Sequence, residues 1–400
     1  MELYLDCNAT TAVDPGVVEV MQPFWNGRMG NPSSAHRQGR IARQAVEQAR
    51  EQVAGLLEVS ASQVIFTASG TEANHLAVLG LAANYSQSGV IAIGATEHPS
   101  LRAAATQLER NGWQLIELPV DENGLLTVSA ISQIEQQKPD IVSVMVANNE
   151  TGVIQDLSAV VHAAQQVGAQ VHADASQAAG KIALDFCSMG ADCMTLSAHK
   201  LYGPKGVGAL VIKENLSLQS QLGGGGQESG IRAGTENVPA IIGFGAASVI
   251  AAEQLLHDTG SVLQCRQALE HGLEQLIGVE VVAQRVERLP NTVMCLVEGI
   301  EGSTLLMQLD RHGIAVSSGS ACQAGKTAPS PVLTAMGISE ERARRALRIS
   351  FCRDVTQQQV THFLEVLRAV LERIGLSGAT AWKAPRWLSE NRSRNEGKLI

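Results

Sequence analysis

Between about residues 60 and 215, short β-branched runs alternate with stretches whose apolar residues recur at helical spacing. Residues 64–67 (Val-Ile-Phe-Thr) read as a strand and 72–83 as the helix that follows it; 90–93 and 101–110 repeat the pair. Residues 141–147 read as a strand, 157–167 as a helix, and 170–174, 194–197 and 209–212 as three further strands. Alternation of this kind predicts a mostly parallel sheet covered by helices on both faces. A long helical stretch over 238–276 then gives way to a different pattern. Strand-like 291–297, helix-like 303–312, a polar loop over 317–331, strand-like 347–351 and helix-like 357–374 predict a smaller α+β unit. The expected division is a large domain over 15–260, a small one made of 1–14 and 261–376, and a polar, basic tail over 377–400. That tail has Trp382 and Trp387 as its aromatic residues and reads either as a loose end or as a docking segment.

Composition narrows the class. With 45% hydrophobic and 17% charged residues, the 400-residue chain can bury substantial cores, which excludes a disordered protein or a small disulfide scaffold. A net charge of −9 and 3% aromatic residues argue against a nucleic-acid partner, which calls for basic contacts and stacking platforms. The seven cysteines are scattered with no C-x-x-C pair, so neither a zinc ribbon nor a thioredoxin-like site is expected. No signal-like start is visible, and the apolar run over 238–252 reads as too short and interrupted to span a bilayer. The expectation is a soluble protein of a reducing cytoplasm, without a membrane partner or a metal site of its own.

In open α/β sheets, ligands bind beyond the carboxyl ends of the strands. Here those ends carry a telling set. Ser69-Gly70-Thr71 forms a small-residue turn opening a helix, a phosphate cradle. His98, Asn149 and Asp174 follow or close three strands, Gln177 lies a turn beyond Asp174, and Ser197-Ala198-His199-Lys200 ends the fifth. Singly, each has an ordinary explanation: a helix cap, a satisfied histidine, a capping carboxylate, a solvated lysine. Together they match the needs of pyridoxal phosphate. That cofactor requires a phosphate cradle, a Schiff-base lysine, a carboxylate against the pyridine nitrogen and a flat group over the ring.

Several runs carry a resemblance: Tyr4-Leu5-Asp6-Cys7-Asn8-Ala9-Thr10-Thr11, Thr96-Glu97-His98, Asn148-Asn149-Glu150-Thr151-Gly152, His172-Ala173-Asp174, Ser197-Ala198-His199-Lys200 with Leu201-Tyr202-Gly203-Pro204-Lys205-Gly206, and Ser317-Ser318-Gly319-Ser320-Ala321-Cys322. In order over residues 3 to about 370, they resemble the NifS/IscS-like cysteine desulfurases of the class V aminotransferase superfamily. The resemblance implies fold type I of the pyridoxal-phosphate-dependent transferases: a large domain with a mostly parallel mixed sheet plus a smaller α+β domain. It implies Lys200 as the Schiff-base lysine, Asp174 as partner of the pyridine nitrogen and His98 over the ring. Gly70, Thr71, Ser197 and His199 match phosphate-binding positions, Gln177 the contact to the ring hydroxyl, and Asn149 a further cofactor contact. Thr235 matches a phosphate contact given by the other subunit of a homodimer. Asn8, Asn149 and Arg348 match substrate-carboxylate positions, and Cys322 the residue that takes sulfur as a persulfide.

The implied activity converts L-cysteine to L-alanine and passes the sulfur to an iron–sulfur scaffold or another acceptor protein, with Cys322 a candidate cluster ligand when such a scaffold is docked. A thiol near its ordinary pKa is only a few per cent thiolate at neutral pH. Lys326 and His98 are the candidates for activating Cys322. Two rival readings stand beside this one: a C–S lyase releasing sulfide and pyruvate, which needs no Cys322, and a non-catalytic assembly scaffold, which needs neither Lys200 nor Asp174. Ala198, Ser229, Gln323 and Cys352 depart from the family pattern and leave the loop around Cys322 and the choice of acceptor open. The remaining cysteines, Cys7 among them, read as packing residues, with Cys352 set apart by its closeness to Arg348.

Overall fold

The computed structural model describes residues 2–257, 260–318 and 328–375. The chain opens on a short strand, β1 (Leu3–Tyr4), that belongs to the second unit of the fold. The main sheet has seven strands in the order β2 (Val64–Thr67), β8 (Gly208–Ile212), β7 (Cys193–Ser197), β6 (Gln170–Asp174), β5 (Ile141–Met145), β3 (Val90–Gly94) and β4 (Gln114–Leu118). Neighbours pair in parallel except at β8, which runs against both β2 and β7. Strands β2, β5, β7 and β8 are buried at every position, as a sheet covered on both faces requires. This is the mostly parallel mixed sheet that the sequence pattern predicts.

Several elements escape that pattern, the Val128–Gln137 helix among them. Strand β4 is an edge strand whose Gln114 and Glu117 stay exposed, so its apolar signal is diluted. The Arg37–Gly55 helix lies ahead of the alternating region and packs Ala42, Val46, Ala49 and Val53 into the core. It faces the Val238–Leu256 helix closely: a Cβ on Gly245 would sit 2.7 Å from Ala49 Cα, so glycine is required there. The latter helix runs four residues beyond the predicted apolar run and is long and apolar enough to cross a membrane, a correction to the sequence reading. Half of it is buried, with Phe244 wholly enclosed, which is what a core helix shows.

A second, antiparallel sheet holds β12 (Ala346–Ser350), β10 (Thr292–Val297) and β9 (Val279–Val281). The Ser261–Glu274 and Gln357–Arg373 helices close over it, burying Leu269, Leu273, Phe363 and Leu367. Leu3 and Leu5 join this core, and β1 pairs in parallel with β11 (Ile314–Ala315). The predicted 238–276 stretch is two helices, and Gly260, at φ 71°, opens the second.

The N-terminal segment stitches the two sheets together. Asp6 bridges Ser350, the Cys7 amide donates to the Ser350 carbonyl at 3.0 Å, and the Thr11 amide donates to the His199 carbonyl at 3.0 Å. That pairing brings Cys7 against Cys352. They form a disulfide with Cα atoms 5.4 Å apart across 345 residues, which corrects the reading of Cys7 as a packing thiol. Neither position signals the bond in sequence, because only the β12 pairing makes them neighbours. The bond shortens the unfolded chain's freedom at the segment that carries Asn8. Cys193, Cys265 and Cys295 are buried free thiols and Cys187 an exposed one.

Candidate active site

The carboxyl ends of β2, β5, β6 and β7 open into a cavity of about 350 Å³, closed on its far side by Pro331, Val332 and Arg348. Asn8, Gly70, Thr71, His98, Asn149, Asp174, Gln177, Ser197, His199 and Lys200 all line it. The fold therefore brings together every described site residue of the sequence reading except Thr235, which lies exposed in a loop of its own chain. Cys322 and Lys326 fall outside the described residues, as does the 377–400 tail.

Strand β2 turns into the Gly70–Ala82 helix through Ser69, whose hydroxyl caps the Glu72 amide at 3.1 Å. A Cβ on Gly70 would come within 3.1 Å of Ser176 Oγ and 3.2 Å of Ser197 Cβ. Leaving it off keeps amides and three hydroxyls (Thr71, Ser176, Ser197) about a helix N-terminus, a ready anion cradle. Arg232 approaches the rim but is paired with Glu72, Nε to Oε1 at 2.7 Å.

At the floor lies Asp174, 6% exposed. Its Oδ2 accepts from Asn74 Nδ2 at 2.8 Å and its Oδ1 from the Ser176 amide at 2.9 Å. Among the described residues no cation forms an ion pair with it. Asn74 also donates to Ser100 Oγ at 3.0 Å, and that hydroxyl meets His98 Nδ1 at 2.7 Å, so carboxylate and imidazole are joined through two side chains. The Ser100 amide donates to His98 Nδ1 at 3.1 Å, which makes that nitrogen an acceptor and leaves the ring proton on Nε2. Burial holds the His98 pKa below its ordinary value, opposed by Asp174 and assisted by Lys200. His172, two residues before Asp174, is held neutral by burial with its pKa lowered to about 4, and Ser143 and Thr195 take its two nitrogens.

Lys200 follows β7 and reaches the N-terminal segment, donating to the Asn8 carbonyl and, at 2.8 Å, to that of Ala9. Beside it, His199 has its pKa lowered to about 4, first by burial and then by Lys200 and Lys205. Arg348, 3% exposed on β12, donates to Asp6 at 2.6 Å and to the Asn149 carbonyl at 3.0 Å. Its Nε is buried without a partner, one donor left over for a ligand's carboxylate. The Asn8 amide group is committed inside the protein: Nδ2 donates to Thr292 at 2.8 Å and to the Asn149 carbonyl at 3.1 Å.

A model of the aminotransferase class-V family matches residues 3–363. The chain belongs to that family. It is 38% identical over 380 residues to the cysteine desulfurase IscS of Vibrio cholerae serotype O1 (strain M66-2), covering 94% of each chain. Among solved structures, a NifS-like protein aligns with a TM-score of 0.87 at 35% identity over 93% of this chain and all of that one. The structure titled SspA in complex with cysteine aligns at 0.78 and 31% identity, over 88% of this chain and 99% of its own. The family's cofactor is pyridoxal 5'-phosphate, and the cavity fits it: an anion cradle, a buried carboxylate with no counter-cation among the described residues, and a lysine all line it.

The sequence reading passed over four residues that the structure sets in or beside the cavity. Asn74, inside a helix, reads as an ordinary polar position, as does Ser100. Glu97 is enclosed and accepts from the Met145 amide at 2.7 Å; burial first, against that hydrogen bond, and then Asp174 raise its pKa well above the ordinary value. Glu150 accepts from the Ser330 hydroxyl at 2.5 Å, and burial lifts its pKa from 4.5 to about 7 against the pull of Ser330 and Arg348. The folded state thus binds a proton that the unfolded chain has lost. Glu150's contribution to stability is complete below pH 4.5 and disappears as pH rises through about 7. Glu150→Gln keeps the acceptor for Ser330 and removes the titration. Urea unfolding should show the wild type losing stability relative to the variant between pH 5 and 7.5, by up to ~1.4 kcal/mol per pH unit. A difference that is the same at both pH values would refute the assignment.

Proposed function

We propose that this chain is a cysteine desulfurase that removes sulfur from free L-cysteine, leaves L-alanine and holds the sulfur as a persulfide on Cys322. The observation that carries the reading is Asp174, a buried carboxylate with two hydrogen bonds and no counter-cation among the described residues, at the floor of a cavity whose rim is an anion cradle. Bound pyridoxal phosphate supplies an electron sink for the substrate's Cα–H bond. Asp174 holds the proton on the pyridine nitrogen, Gly70, Thr71, Ser197 and His199 hold the phosphate, and Gln177 and Asn149 contact the ring edge. Lys200, which lines the same cavity, would hold the cofactor through its Nζ and would serve as the base for the substrate's Cα proton. Arg348, through its spare Nε and with Asn149 beside it, holds the substrate carboxylate. The Asn8 side chain acts as the brace of that pocket, since its own donors are already taken.

His98, with its hydrogen on Nε2, lines the same cavity and would carry protons between the substrate and Cys322. The Cys322 thiolate attacks the substrate sulfur, the Cβ–S bond breaks with its electron pair passing to Cβ, Cβ takes a proton and Lys200 returns one to Cα to give alanine; the sulfur stays on Cys322 as a persulfide. It then passes to an iron–sulfur scaffold or another acceptor protein. The division into 15–260 against 1–14 with 261–376 is part of the same reading, placing the cradle in one domain and Arg348 and Cys322 in the other.

Cys322→Ala should leave cofactor binding and the spectral response to cysteine intact, because none of the phosphate, ring and carboxylate roles assigned above uses that thiol. Alanine formation should fall by orders of magnitude. Near wild-type alanine and persulfide would reject the mechanism, and pyruvate with sulfide at the wild-type rate would put the lyase in its place. Thr235, exposed in its own chain three residues after the Glu72-paired Arg232, supports a homodimer in which each subunit completes the other's phosphate site. Sedimentation should find a dimer wherever the enzyme is active; an active monomer on dilution would contradict the shared site.

A further inference from the structure

Lys181, one turn beyond Gln177, has no part in the chemistry assigned above. Lys181 is half-buried and lines a second cavity of about 320 Å³ that shares Lys200 with the active-site cavity and is bordered by Cys7, Asn291 and Arg353. No carboxylate pairs with it among the described residues. The charged groups that act on it are Lys200 and Arg348, both cations, and together with burial they hold its pKa well below the lysine range. An amine in such a place is costly unless its hydrogens are used. They are used on two amide oxygens: Nζ donates to Asn8 Oδ1 at 2.8 Å and to Gln177 Oε1 at 2.8 Å.

The two amides depend on it unequally. Asn8 Oδ1 also accepts from Asn291 Nδ2 at 3.1 Å, and its Nδ2 has two acceptors, so its orientation survives without Lys181. Gln177 has no such insurance. Its Nε2 donates to the Asn8 carbonyl at 2.9 Å, an acceptor it shares with Lys200, while Lys181 is the donor to its Oε1. An amide's two ends are nearly equal in shape, and only its partners decide which way it faces.

We propose that Lys181 is a positioning residue: by donating to Gln177 Oε1 it fixes that amide so that the NH₂ end faces the cavity and meets the hydroxyl of the cofactor ring. The inference rests on the placement of Gln177 against the ring hydroxyl. With Lys181 in place, Gln177 presents a donor to the negatively charged ring oxygen. Without it, the amide is free to turn and present its own oxygen instead.

The test reads the cofactor of the purified holoenzyme rather than its turnover. Lys181→Met, Gln177→Met and the double variant are titrated by the pH dependence of the cofactor's visible absorption band. The Gln177 variant should move the midpoint upward by about half a pH unit or more, roughly a threefold change in the equilibrium. Lys181→Met should move it in the same direction, and the double variant should go no further than the Gln177 variant alone, because both act through one hydrogen bond. Lys181→Gln, which keeps an N–H donor, should restore the wild-type midpoint in part, and Lys181→Ala carries the same comparison if the methionine variant does not fold. A wild-type midpoint in Lys181→Met with only a lowered Tm, or shifts that add in the double variant, would overturn the proposal. An unmoved midpoint in Gln177→Met would instead overturn the placement of Gln177, and the role of Lys181 with it.

Discussion

The structure is organised around one buried negative charge. A carboxylate taken out of water without a counter-ion costs several kcal/mol, yet Asp174 is held at a strand end by an Asn74 amide and a backbone N–H, neither of them charged. The surroundings are arranged so that no other ionised group competes for it. His172 stays neutral, Glu97 has its pKa raised well above the ordinary value, and His98 has its proton on the nitrogen away from Ser100. The charge is thereby reserved for a cation that enters the cavity with its own anion in tow. A ring with a protonable nitrogen at one end and a phosphate at the other meets that requirement, because the cradle at Gly70 lies on the same cavity wall.

The second constraint is mechanical. Asp174, Lys200 and the cradle belong to the seven-stranded sheet, whereas Arg348 belongs to β12 of the other sheet. The N-terminal segment makes these one site. Asn8 takes donors from Gln177, Lys181, Lys200 and Asn291 and gives its own to Asn149, Thr292 and Ser350, so it ties the segments that follow β5, β6 and β7 to β10 and β12. Asp6 orients Arg348, and the Cys7–Cys352 disulfide fastens the same segment to the end of β12. Arg348 and Lys200 are then held relative to each other by the short stretch from Asp6 to Ala9, on which both side chains rest.

What could be read from sequence follows from where the information is local. Period and β-branched content mark strands buried on both faces, so β2, β5, β6, β7 and β8 were legible, and ligand chemistry at their carboxyl ends was legible with them. Edge strand β4 was not, since half of its positions face water. The supporting residues were hidden for a different reason. Asn74 and Lys181 look like solvated positions until a strand 100 residues away, or an amide 173 residues away, gives them a partner. Cys7 and Cys352 are the extreme case, neighbours only after both sheets have formed.

Asp174→Asn tests the central claim most directly, since it keeps the shape and the Ser176 contact while removing the charge. The protein without cofactor should be as stable as wild type or more so, because a buried unpaired charge is gone. Its affinity for pyridoxal phosphate should fall by about a hundredfold, the scale of losing one partner of a buried pair, and alanine formation should fall by orders of magnitude. A variant that binds the cofactor and turns over cysteine like the wild type would show that the buried carboxylate is not the cofactor's partner, and the account built on it would fail.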